Sequence, residues 1–179
     1  MTSSAWTSAS YSESLEMLIG KYSPRGILVD ANLLVLLLGT QFDSDFPGTG
    51  RVAAYSGDDV VIVRQLVARF GKIVSTSHVM VETINFLRQD FKGKKRDALM
   101  RQLHPIFCGD VDGFREELVD KKQIDPYIFQ RLGLTDAALA VACGRFPIFT
   151  ADLALHVAVG SQGGESINFW HLKEALLGL

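Results

Sequence analysis

Three features of the sequence predict an α/β fold, a three-layer α/β/α sandwich around a mainly parallel central sheet. Short, wholly apolar runs such as Ile27-Leu28-Val29 and Ile148-Phe149 have the length and character of strands buried on both faces. Longer segments with helical spacing alternate with them, as where Val63, Leu66, Val67 and Phe70 fall at i, i+3, i+4 and i+7. The chain has 179 residues, 47% hydrophobic and 21% charged. That length and composition suit one packed domain and exclude both a disordered chain and two independent enzymes.

The elements follow in order. Residues 1–25 read as a polar tail and a short helix. The first fourteen (MTSSAWTSASYSES) are rich in Ser and Thr and carry little that packs, and a helix is expected at about 14–20. A single domain then spans 26–179. Its first strand is 27–29, followed by a helix over 33–38 that Gly39 ends. Residues 40–59 hold Pro47, three Gly and four Asp, and are predicted to be an inserted loop. A helix at 63–70 closes at Gly71, and a strand at 72–75 leads to a helix running to about 89, with Thr76 or Ser77 as its N-cap. More helix is expected to about 122, broken at Pro105 and Gly109, then an irregular or helical connector at 124–133. Thr135 is the expected N-cap of an Ala-rich helix to Cys143. A third strand at 147–150, a helix at 153–159 and a fourth strand at 166–170 precede a last helical turn. No internal repeat is visible.

The net charge is −2, so a nucleic-acid partner must be held by a local basic patch rather than by the bulk charge. Cys108 and Cys143 form neither a CxxC pair nor a disulfide framework, which fits a reducing compartment. No apolar run reaches the roughly 18 residues of a membrane span, and the N-terminus lacks the basic and apolar regions of a signal peptide. A soluble cytoplasmic protein without membrane contact is expected.

In a parallel sheet flanked by helices, reactive groups collect at the carboxyl ends of the strands. Asp30 ends the first strand, with Asn32 two residues on. Asp152 follows the strand that ends at Thr150, Asp136 lies in the first turn of the Ala-rich helix, and Glu82 lies about two turns into the helix after the second strand. All four acids can approach one edge. Four carboxylates within about 5 Å of each other repel by about 3 kcal/mol per pair at an effective dielectric near 20. Either some carry protons or a divalent cation sits among them. Oxygen donors without His or Cys suit Mg²⁺ or Mn²⁺ rather than zinc. Such an ion, open to water, polarises phosphodiesters. Individually each acid also reads as a helix cap or dipole partner.

The segments VDANLL (29–34), STSHVMVETINFL (75–87), GLTDAALAVA (133–142) and IFTAD (148–152) resemble the PIN-domain family of metal-dependent ribonucleases, whose largest bacterial group is the VapC-type toxins. The similarity covers about residues 26–172. It implies the three-layer sandwich and an acidic quartet that coordinates Mg²⁺ or Mn²⁺. Asp30, Glu82, Asp136 and Asp152 match that quartet, Asn32 matches a position that is often small and polar, and Thr150 precedes the last acid. The resemblance implies an endoribonuclease that leaves 5′-phosphate and 3′-hydroxyl ends, with an RNA substrate, an antitoxin partner if it is a toxin, and homodimerisation common in the family. The 40–59 segment and the long interval between Glu82 and Asp136 differ from the compact toxins, and Leu153-Ala154 stands where a fifth acid is often found.

Lys92, Lys94, Lys95, Arg96 and Arg101 form the one basic cluster, read either as a solvated helix face or as an RNA-binding surface. His78, four residues before Glu82, reads as a helix-start histidine more than as a support for the acids. His104 and Cys108 read as packing, His156 and His171 show no partner pattern, and Phe169 and Trp170 read as core. A P-loop and a GxSxG serine elbow are absent from the sequence. A phosphatase with Asp30 as covalent nucleophile wants an acid where Asn32 stands, and an amide cannot shuttle that proton. A non-catalytic RNA- or protein-binding module on the same scaffold is the remaining alternative.

Overall fold

The computed structural model describes residues 8–109 and 111–178, and the expected polar tail at 1–7 lies outside them. The strands are β1 (Ile27–Val29), β2 (Ile73–Thr76), β3 (Phe114–Glu117), β4 (Ile148–Thr150) and β5 (Ser166–Asn168). They form one sheet in the order β3-β2-β1-β4-β5, every pair parallel. Parallel neighbours require crossovers, and the helices supply them: α2 (Ala31–Phe42), α3 (Gly57–Ala68), α4 (Ser77–Asp90), α5 (Gly93–Cys108), α6 (Pro126–Leu132), α7 (Leu134–Ala142) and α8 (Leu153–Ser161). Helices α1 (Ser8–Tyr22) and α9 (Phe169–Leu177) close the two ends of the chain and pack on each other. The predicted sandwich is the fold observed. Leu28, Val29, Val74, Ile148 and Phe149 are wholly enclosed, as two covered faces demand.

Several local expectations are corrected. The N-terminal helix starts at Ser8, not near residue 14, and buries Ile19 and Tyr22 against the core. Gly39 does not end α2, which continues to Phe42. A Cβ at that position would collide with the ring of Phe46, so the glycine is a notch in which the following loop seats itself. The 40–59 segment is therefore not a loose insertion. Its Phe46, Val52 and Tyr55 are buried, it contains a 3₁₀ turn at Gly50–Val52, and Ser56 and Asp59 form a capping box that opens α3.

Strand β3 was not expected. Its sequence, Phe-Arg-Glu-Glu, is charged because it is an edge strand, where charge discourages pairing with another chain. Helix α5 runs through Pro105 to Cys108, since the missing N–H falls in its last turn. Helix α7 is capped by Gly133 rather than Thr135. At φ +90° this glycine ends α6 and begins α7 in a conformation that side chains rarely tolerate. His104 and Cys108 are exposed, not packed in the core. His156 and His171 do meet, edge to face with ring centroids 5.5 Å apart. Strand β5 stops at Asn168, which caps α9, so Phe169 and Trp170 begin that helix; Phe169 is buried and Trp170 is packed against the core.

Candidate active site

The strand order reverses at β1: β2 and β3 extend the sheet to one side, and β4 and β5 to the other. A crevice opens outside the carboxyl ends at such a switch point. Asp30, directly after β1, and Thr150, the last residue of β4, stand there side by side.

Asp30 is almost fully buried, and its carboxylate is held from three directions. Oδ1 accepts the Leu33 N–H at 2.9 Å, capping α2. Oδ2 accepts the Thr150 hydroxyl and, at 3.0 Å, the Ala151 N–H. Burial pushes its pKa above the usual carboxylate value despite these bonds, and the charge of Asp152 adds to the rise. Thr150 is itself wholly enclosed and also accepts the Asp152 N–H at 2.9 Å. One hydroxyl thus ties the turn after β4 to the acid after β1.

Asp152 is exposed and caps α8. Its Oδ1 takes the N–H groups of Ala154 at 2.6 Å and Leu155 at 3.1 Å, and Oδ2 takes no part in the cap. Asp136 lies in the first turn of α7, and Glu82 in α4, which packs on both α2 and α7. Burial raises the Asp136 pKa to about 7, and the charges of Asp152, Asp30 and Glu82 push it in the same direction. The charges of the other three acids proposed from the sequence therefore all reach Asp136. Among the described residues none of the four is in an ion pair, whereas the buried Asp59 is paired with Lys173 at 2.7 Å. Among the described residues no three His, Cys, Asp or Glu side chains are gathered at metal-holding spacing.

Asn32, in the first turn of α2, is half-buried. Thr76, not His78, caps α4, and the Nδ1 of His78 is buried without a hydrogen bond. The basic cluster is not at the acidic edge. Lys92, Lys94, Lys95, Arg96 and Arg101 belong to the start and middle of α5, reached beyond the far end of α4. Lys95 bonds Asp43 at 2.9 Å and Arg96 bonds Asp97 at 3.2 Å, while Lys92, Lys94 and Arg101 are exposed.

Two further residues, Tyr55 and Arg51, are not singled out by the sequence. Tyr55 is close enough for the charges of Asp30 and Asp59 to add to the burial that raises its hydroxyl pKa, and its ring stacks on Trp170 at 5.5 Å. The Arg51 guanidinium lies over the Phe86 ring of α4. Both sit in the segment read as a loop, where the apolar residues Phe46, Val52 and Tyr55 were the available sign of packing. Compared with known proteins, the chain matches no family model, no curated protein and no solved structure.

Proposed function

We propose that the chain is a Mg²⁺- or Mn²⁺-dependent endoribonuclease hydrolysing RNA phosphodiester bonds at Asp30, Glu82, Asp136 and Asp152, as its resemblance to PIN-domain ribonucleases implies. One observation carries the reading. The charges of Asp30, Glu82 and Asp152, from three other elements, all reach Asp136 beside the sheet's switch point, and among the described residues no cation pairs with any of the four, although no three of them are gathered at metal-holding spacing. That arrangement costs free energy unless a proton or a cation offsets it.

The donor set fits a hard divalent ion, being oxygen only, and Asp136 caps no helix that would otherwise account for it. Asp30, Asp136 and Asp152 would hold the ion, with Glu82 completing the set. When bound, the ion supplies positive charge against the scissile phosphate and acidifies the attacking water. The chain's own residues do the positioning. The Leu33 and Ala151 N–H groups and the Thr150 hydroxyl fix the Asp30 carboxylate, and the same hydroxyl fixes the backbone of Asp152. Asp136, with a pKa near the working pH, sheds its proton readily once positive charge approaches. Toxin activity restrained by an antitoxin, and a homodimer, are the partners this resemblance suggests.

The second reading, a non-catalytic binding module, is favoured by the capping roles of Asp30 and Asp152, which a scaffold would need in any case. Titrating Mn²⁺ into wild type and Asp136→Asn while following heat of binding separates the two, together with a labelled-RNA cleavage assay. The nuclease reading expects saturable binding and metal-dependent cleavage in wild type only. Equal behaviour of the two proteins would overturn it in favour of the module.

A further inference from the structure

The carboxylate edge repels the very backbone it is proposed to cut, and the basic cluster of α5 lies too far along to offset that at the edge itself. One cation is nearer. The Arg51 guanidinium carbon sits 3.4 Å from the centroid of the Phe86 ring. Phe86 follows Glu82 by four residues on α4, so the two share a helix face about 6 Å apart along its axis. In the other chain direction, the Tyr55 ring packs against Phe169 and Trp170, which directly follow the carboxyl end of β5. Residues 51–55 thus run from the flank of α4 to the carboxyl edge of the sheet.

A guanidinium held over a ring by its face keeps the N–H groups at its rim available to an in-plane acceptor. Arg51 is exposed, and among the described residues no carboxylate pairs with it, unlike Lys95, Arg96 or Arg69. Its backbone is anchored, since Val52 beside it is fully buried and Phe46 is seated in the notch at Gly39. An exposed arginine held over a ring that lies one helical turn from Glu82, with no carboxylate paired to it among the described residues, has the chemistry of a phosphate clamp. Beyond it α4 leads to the exposed Lys92 and Lys94.

We infer that Arg51, oriented by Phe86, is a substrate-binding residue that grips a backbone phosphate of single-stranded RNA leaving the carboxylate edge along α4 toward α5. The inference rests on the reading of that edge as a phosphodiesterase site.

The test is fluorescence anisotropy of the full chain with fluorescein-labelled oligouridylate in EDTA, across a salt series. Arg51→Ala is expected to weaken binding about tenfold and to lower the slope of log K against log salt by about one. Arg51→Lys restores the slope, because the charge remains, and recovers affinity only in part. Phe86→Leu keeps the slope and weakens binding, because the cation is present but no longer aimed. Arg25→Ala, before β1 at the opposite sheet edge, is the control for an unrelated lost charge, and thermal midpoints confirm that each variant folds. Wild-type affinity and slope in Arg51→Ala would overturn the clamp and leave the carboxylate reading standing. An Arg51-dependent slope in a protein that cuts no RNA with Mn²⁺ supports the clamp and sinks the nuclease. No binding of RNA by wild type overturns the clamp, and cleavage with Mn²⁺ then decides the nuclease reading separately.

Discussion

Asp136 and Thr150 carry the most testable chemistry. The pKa of Asp136 is raised to about 7 from an ordinary 3.8, so between those values the folded chain binds a proton that the unfolded chain has released. The contribution of Asp136 to the stability of the metal-free protein therefore falls as pH rises from about 4 to about 7, and levels off above. Asp136→Asn is expected to remove that decline, to melt higher than wild type at pH 8 without metal, and to abolish cleavage. Thermal melts across that pH range check it, and a wild-type pH profile in the variant would assign the slope elsewhere. Thr150→Val removes one buried donor to Asp30 and one part-buried acceptor for the Asp152 N–H. A loss of about 1–3 kcal/mol in denaturant unfolding is expected, with a fall in activity that Thr150→Ser largely restores.

The elements aim the acids through their caps and turns. Helix α7 begins at Gly133, whose φ of +90° with an extended ψ belongs to a region almost confined to glycine. Gly133→Ala should cost about 1–3 kcal/mol of stability. Because Asp136 lies three residues on, the same substitution should weaken Mn²⁺ binding by calorimetry, while Gly160→Ala in α8, which has open space for a methyl group, should change neither. The unexpected β3 carries a further constraint. Glu117 at its end is nearly fully buried and bonded by Arg115 at 3.0 Å and by Arg145. Two partners on one carboxylate make the pair redundant, so loss of both arginines should destabilise by more than the sum of the single losses, as a double-mutant cycle would show.

Taken together, the fold is a parallel sheet whose helix N-termini and acids share one edge, and an ion at that edge should couple to folding. At a hundredfold excess over its dissociation constant, Mn²⁺ should stabilise the wild type by about 2.7 kcal/mol. An ion held by Asp136 would displace its proton, so the Mn²⁺-induced rise in thermal midpoint should grow between pH 6 and pH 8. A shift independent of pH, or one retained in Asp136→Asn, would place the ion elsewhere. Among the described residues no helix is long and apolar enough to cross a membrane.

Much of this was legible in the sequence because the signals are local. Ile27-Leu28-Val29 and Ile148-Phe149 are apolar on both sides, which only a doubly covered strand needs, and four acids fall at strand ends or early helical turns. Local patterns also narrowed the cap of α4 to Thr76 or Ser77, of which Thr76 is the one observed, and placed Asp136 in a first helical turn. Tertiary structure alone decided the rest. Strand β3 looks polar because its partner lies on one side only, and its pairing with β2 is a long-range contact that leaves no periodicity behind. Gly39 reads as a stop until the ring of Phe46 occupies its missing Cβ. Arg51 is one arginine among several until Phe86, thirty-five residues further along the chain, comes under it. Which acids raise the pKa of Asp136 likewise depends on chain crossings at β1 and β4, and distance through space is not written in spacing along the sequence.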